Sequence, residues 1–143
     1  MLYTLKSAGT KYAYDSASGA VIQLNDLQFK MLGAIVPPLT PVCPTSLRYE
    51  LAKFDSMDVE EAYEYIYSLS RDGLLYKEDD GKVRIMTEGD SACADIALAN
   101  ELICAALADA PAEFGFEVIG STLAEDIKAI AASEAAKLGK KLI

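Results

Sequence analysis

The stretch from Tyr12 to Asp26, YAYDSASGAVIQLND, constrains the fold most. Asp15-Ser16-Ala17-Ser18-Gly19 has the composition of a type I turn closed by a glycine at positive φ. Residues alternate on both sides of it. Tyr12 and Tyr14 share one face of the incoming arm, and Ala20, Ile22 and Leu24 share one face of the return arm. The pattern predicts a hairpin with arms Lys11 to Asp15 and Ala20 to Leu24. Asn25 or Asp26 then caps a helix. A short first strand is expected over Leu2 to Leu5. A sheet this small has an edge, and the use of that edge is the functional question.

The next helix carries Leu27, Met31, Ala34 and Ile35 on one stripe, with Phe29, Leu32 and Val36 beside it, and is expected to be well buried. Pro37-Pro38 ends it. The segment Pro37 to Pro44, PPLTPVCP, holds four of the five prolines and reads as a stiff connector. Thr45 or Ser46 caps a short helix over Leu47 to Phe54. Asp55 or Ser56 starts the clearest helix in the chain, in which Val59, Ala62, Tyr63, Ile66 and Leu69 recur at helical spacing. Asp58, Glu60 and Glu61 crowd its first turn, where the macrodipole favours them. Arg71 lies in its last turn and Gly73 is its stop. Leu74-Leu75-Tyr76 and Lys82 to Met86, joined through Asp79-Asp80-Gly81, read as a second hairpin. Residues 1–88 thus predict an α+β domain of winged helix-turn-helix type, with a β-hairpin, three helices and a wing.

Residues 89–143 read as an alanine-rich helical extension. Asp90 or Ser91 opens a helix to about Asp109, and Ala110-Pro111 breaks it. Cys93 and Cys104 would share a face of that helix, separated by about 16 Å of rise. Phe114 to Ile119 reads as a short strand. Thr122-Leu123-Ala124-Glu125 matches a capping box. Leu123, Ile127, Ile130 and Leu138 form the stripe of a last helix that ends at Gly139. The extension is expected to pack on the first domain or on a second copy, through residues 91–138.

The residue inventory points away from catalysis. There is no histidine, the commonest general base and metal ligand. The nine glycines form no phosphate loop. The three cysteines, Cys43, Cys93 and Cys104, contain no C-x-x-C and suggest neither a disulfide framework nor a zinc site. No metal, cofactor or catalytic residue is expected. The net charge of −9 is spread along the chain, with nine basic residues against thirteen acidic ones up to position 88 and four against nine after it. Such a chain repels nucleic acid and anionic membranes and suits a cationic or apolar partner. A recognition helix bearing Asp58, Glu60, Glu61, Glu64 and Asp72 against Arg71 alone is poorly suited to a DNA groove. No apolar run approaches the roughly 20 residues of a membrane span, and the N-terminus lacks the pattern of a secretion signal. A cytoplasmic location is expected.

The segments YDSASGAVIQLNDLQFKML and LRYELAKFDSMDVEEAYEYIYSLSRDGLLY carry a resemblance. A strand ending in SGAV that leads into a helix, followed by an acidic EEAYEYI helix ending in GLL, resembles the N-terminal precursor-recognition domain of radical SAM peptide maturases, in particular those that form thioether crosslinks. The resemblance covers roughly residues 1–78. It implies a small winged helix-turn-helix that takes a ribosomally made precursor's leader peptide as an added strand on the hairpin's outer edge, against the third helix. No C-x-x-x-C-x-x-C follows in this chain, so a radical SAM maturase would be a separate partner. On this reading Ala20, Val21, Ile22, Gln23 and Leu24 supply the edge, and Tyr63, Ile66 and Tyr67 line the facing groove. Val21, Gln23 and Tyr67 are expected to be exposed. Acidic residues on the rim would attract a lysine-bearing leader. Two alternatives remain open at the level of sequence: an acidic adaptor or homodimer built on residues 91–138, and a winged-helix transcription regulator.

Overall fold

The computed structural model describes residues 1–93 and 95–143. Three strands, β1 (Leu2–Ser7), β2 (Thr10–Asp15) and β3 (Val21–Leu24), form an antiparallel sheet in the order β1-β2-β3. Ala8 and Gly9, at φ 50° and 80°, make the two-residue turn between β1 and β2, the geometry that matches the twist of a hairpin. Three helices follow: α1 (Asp26–Ala34), α2 (Thr45–Glu50) and α3 (Ser56–Arg71). Asn25 caps α1 in a reciprocal capping box with Gln28, and Asp55 caps α3 through the amides of Met57 and Asp58.

The second half is built differently from the expectation. Leu74 to Tyr76 is not a strand, so the predicted second hairpin does not form. Its other arm, β4 (Lys82–Met86), is the first strand of a parallel sheet with β5 (Glu113–Ile119) and β6 (Lys141–Leu142). The helices α4 (Ile96–Asp109) and α5 (Ala124–Lys137) are the connections between these parallel strands and pack on each other. The chain is therefore α+β, with five helices, one antiparallel sheet and one parallel sheet among the described residues.

Several local expectations change with it. The expected helix start at Asp90 or Ser91 is not found: residues 90–93 are turn and irregular chain and α4 begins at Ile96, while position 94 lies outside the described residues. Asp95 caps α4, through the amides of Ala97 and Leu98. Cys93 precedes α4, so it shares no helix face with Cys104. The Thr122–Glu125 capping box is absent, because Leu123 occupies the N-cap of α5 in a left-handed conformation. The Glu88 carboxylate substitutes for it, accepting from the amides and hydroxyls of both Ser121 and Thr122. Lys140 Nζ closes the far end of α4 by donating to the carbonyls of Leu107, Ala108 and Ala110, where a cation suits the helix C-terminus. Among the described residues no helix is long and apolar enough to cross a membrane.

The antiparallel sheet is the middle layer. Ala13, Ala20, Ile22 and Leu24 enter a first core with Leu27, Met31, Val59, Tyr63 and Ile66 of α1 and α3. Tyr14 and Val21, with Tyr3, Leu5 and Tyr12 packed around them, enter a second core with Val83, Ile85, Leu102, Ile103, Phe114 and Ile127. The period-2 alternation of the hairpin thus feeds two cores, one on each face.

The joint between the two halves is the turn itself. Residues 13–22 are all buried. Asp15 accepts from the amides of Ala17, Ser18 and Lys77, which replaces the water its carboxylate loses on burial. β4 lies against this turn: Arg84 N–H donates to Ser16 O at 2.8 Å and Met86 N–H to Gly19 O at 2.8 Å. Tyr14 Oη donates to Arg84 O at 2.6 Å, and Arg84 Nη1 donates to Ala17 O at 2.5 Å.

Candidate functional site

The outward groups of β3 follow from the register. The two-residue turn pairs Ser7 with Thr10, so Thr10, Tyr12 and Tyr14 of β2 bond to β1 and the alternate residues Lys11, Ala13 and Asp15 bond to β3. The bond from Asp15 N–H to Ala20 O fits this phase. On β3, Ile22 and Leu24 therefore bond inward to Ala13 and Lys11, while Val21 and Gln23 turn their backbone groups away from the sheet.

The two outward residues differ. Val21 N–H donates to Ser91 O at 3.0 Å, and its side chain is only 4% exposed, in the second core. Its expected exposure is thus overturned: the segment after β4 folds back over this end of the strand, held by the bond from Cys93 N–H to Met86 O at 2.7 Å. Gln23 is exposed, and no bond to its backbone from outside the sheet is formed among the described residues.

The remaining residues expected at the site divide in the same way. Ala20, Ile22 and Leu24 are buried in the first core, as are Tyr63 and Ile66. Tyr63 Oη donates to Thr40 O at 2.7 Å, which ties α3 to the proline-rich connector. Tyr67 is half-buried against the same core. Gln23 and Tyr67 are thus the two of the eight with accessible surface.

Two depressions lie near the end of β3, one beyond Asn25 and one at the Gln23 edge itself. One, of about 510 Å³, runs between the start of α1 and the first half of α3 and is lined by Asn25, Gln28, Phe54, Asp58, Glu61 and Ala62, with Leu27 at its floor. The other, of about 300 Å³, is lined by Tyr12, Val21, Gln23, Asp90, Ala92, Asp95 and Leu98. Each carries two carboxylates, and the edge at Gln23 borders the one that holds Asp90 and Asp95. Sequence reasoning found Asp58 and Glu61 through the acidic first turns of α3. It missed Ser91, Asp90 and Asp95, because no local pattern signals a segment that returns to a strand some seventy positions earlier.

The thiols are not arranged for chemistry. Burial pushes the pKa of Cys43, Cys93 and Cys104 upward, away from the reactive thiolate. Among the described residues no group of three or more Cys, Asp or Glu side chains is placed to hold a metal ion. No protein-family model matches this chain, and no curated protein matches it.

Proposed function

We propose that the chain is a non-catalytic peptide-recognition protein that takes the leader of a ribosomally made precursor as an added strand beside β3 and presents it to a separate modifying enzyme, of radical SAM type. The observation that carries this reading is the outward backbone of Gln23, open beside the acidic cleft of Asp90 and Asp95, with a second acidic cleft beyond Asn25. An extended peptide satisfies such groups by main-chain hydrogen bonds, and the neighbouring clefts select its side chains. Asp58, Glu61, Asp90 and Asp95 favour lysine or arginine in those positions. The antiparallel sheet with α1, α2 and α3 supports a helix-turn-helix-like arrangement of the recognition half, with β4 bonded to β5 where a wing would stand. An adaptor built on residues 91–138 has less support, since α4 and α5 bury Leu102, Ile103, Leu107 and Ile127 against the rest of the chain.

The test is calorimetric titration of the full chain with the leader segment of a short cysteine-rich peptide encoded beside its gene. Binding in the micromolar range is expected. Gln23→Pro removes an outward N–H without touching the ladder, and is expected to weaken binding at least tenfold with an unchanged melting temperature. Ile22→Pro is not a clean probe, because that N–H belongs to the bond pair with Ala13. Heat unchanged by Gln23→Pro, or no heat with any neighbouring peptide, overturns the proposal.

A further inference from the structure

The opposite edge of the antiparallel sheet is longer and less covered than β3. With Tyr3, Leu5 and Ser7 bonded to β2, the alternate residues Leu2, Thr4 and Lys6 turn three N–H and three C=O groups outward. No element pairs with that side of β1, and no hydrogen bond to these backbone groups from outside the sheet is formed among the described residues.

Cations gather beside it. Lys6 and Lys11, cross-strand partners, place their ammonium groups 5.7 and 5.6 Å from the centroid of the Phe29 ring. Lys30 and Lys53 stand 5.5 and 5.6 Å from the centroid of Phe54. Lys53 and Phe54 lie between α2 and α3, but Lys6, Lys11 and Lys30, three of the thirteen basic residues of a chain with net charge −9, lie on α1 and the adjoining β1–β2 hairpin. Asp26, bonded to Lys11, is the carboxylate that answers them. Its pKa is held down by Lys11, with Lys30 and Lys6 adding to the effect, and Lys53 lowers the pKa of Lys30 beside it. One carboxylate facing the ammonium groups of Lys6, Lys11 and Lys30 leaves a local excess of positive charge on this side of α1. At physiological ionic strength the Debye length is about 8 Å, so this local charge, and not the distant net charge, decides what docks here.

We infer that the β1 edge is a second strand-addition site, and that its occupant is an extended acidic peptide segment pairing with Leu2, Thr4 and Lys6 and setting its carboxylates against Lys6, Lys11 and Lys30. A lysine on an edge strand discourages pairing between identical copies; here it also sets the charge of the segment that is accepted. The occupant has the opposite charge preference to that of the Gln23 edge, and the inference stands independently of the function proposed there.

The experiment uses the full chain labelled for amide NMR and two blocked twelve-residue probes, one alternating Glu and Val and one alternating Lys and Val. The acidic probe is expected to shift the amides of Leu2, Thr4 and Lys6, with an apparent affinity that falls as salt is raised. Thr4→Pro removes an outward N–H and no ladder bond, and is expected to abolish the shifts. Lys6→Glu combined with Lys30→Glu is expected to weaken them at least fivefold, and Gln23→Pro to leave them unchanged. Three results overturn the inference: no shift of the β1 amides with the acidic probe, equal shifts with the lysine probe, or concentration-dependent shifts at Leu2, Thr4 and Lys6 without any peptide, which would assign the edge to a second copy of the chain.

Discussion

Gly19 is held at the residue scale by two constraints at once. Its φ is +85°, and a Cβ there would sit 3.0 Å from Ile85 N and 3.1 Å from Arg84 C. Both contacts are to backbone, which cannot swing aside as a side chain can. Gly19→Ala combines the cost of a left-handed alanine with displacement of β4, a loss of about 2 kcal/mol or more. Gly33 provides the opposite case. It lies in α1, and nothing stands within 4 Å of an added Cβ. Gly33→Ala is expected to stabilise by roughly 0.5–1 kcal/mol through the lower backbone entropy of the unfolded chain and better helix propensity. Urea midpoints for the two variants check both signs. The glycine at the end of the turn and its positive φ were legible in the sequence. The second requirement, that β4 pass directly over it, was not, because the approaching backbone lies some 65 positions away.

At the scale of elements, legibility follows locality. β2, β3, α1 and α3 are encoded by alternation, caps and helical spacing within a few residues, and the structure places them close to expectation. β4 and β5 carry the strand signal too, but which strand β4 joins depends on contacts across α4. The aspartate-rich loop before β4 imitates a hairpin turn, yet serves another purpose. Asp80 meets the Arg84 guanidinium, at 2.7 Å from Nη2, and Arg84 in turn reaches Ala17 O and Glu117. This loop and β4 are thereby fastened to the central turn. The Arg84 hydrogen bond lowers the Asp80 pKa from 3.8 to about 2. A carboxylate depressed in the folded state stabilises it above the unfolded pKa, and the contribution is lost as pH falls through the folded value. Asp80→Asn is therefore expected to lower the melting temperature near pH 6, and the gap to the parent protein to close between about pH 4 and pH 2. A gap that stays constant over that range would remove Asp80 from the fastening. The candidate site divides the same way. Gln23 was legible as the exposed residue of an alternating strand. Val21 was not legible as buried, because Ser91 and the second core that cover it come from the other half of the chain.

For the whole molecule, the shared sheet decides how the two halves depend on each other. β2 and β3 send alternate residues to opposite cores, Ala13 and Ile22 to one, Tyr14 and Val21 to the other. Unfolding of the second half would strip Tyr3, Tyr12, Tyr14 and Val21 of their cover. It would also break the bonds from Arg84 to Ser16, from Met86 to Gly19 and from Val21 to Ser91. A three-stranded sheet with both faces apolar is not stable with one face in water. Loss of α1, α2 and α3 would in turn uncover Ala13, Ala20, Ile22 and Leu24 on the other face of the sheet. Each half thus completes the other, although residues 1–88 and 89–143 read as separate units in sequence. The full chain is expected to unfold in urea in a single transition. Far-UV circular dichroism, which follows the helices of both halves, and the difference in near-UV signal between the parent and Tyr3→Leu, which isolates the Tyr3–Tyr14 stack with centroids 6.1 Å apart on the second-core face, should report the same midpoint. Two separated midpoints would mean that the sheet and α1–α3 hold together without the parallel half. The segment around Ser91 could then leave the β3 edge without global unfolding, and the strand site would widen from Gln23 to include Val21.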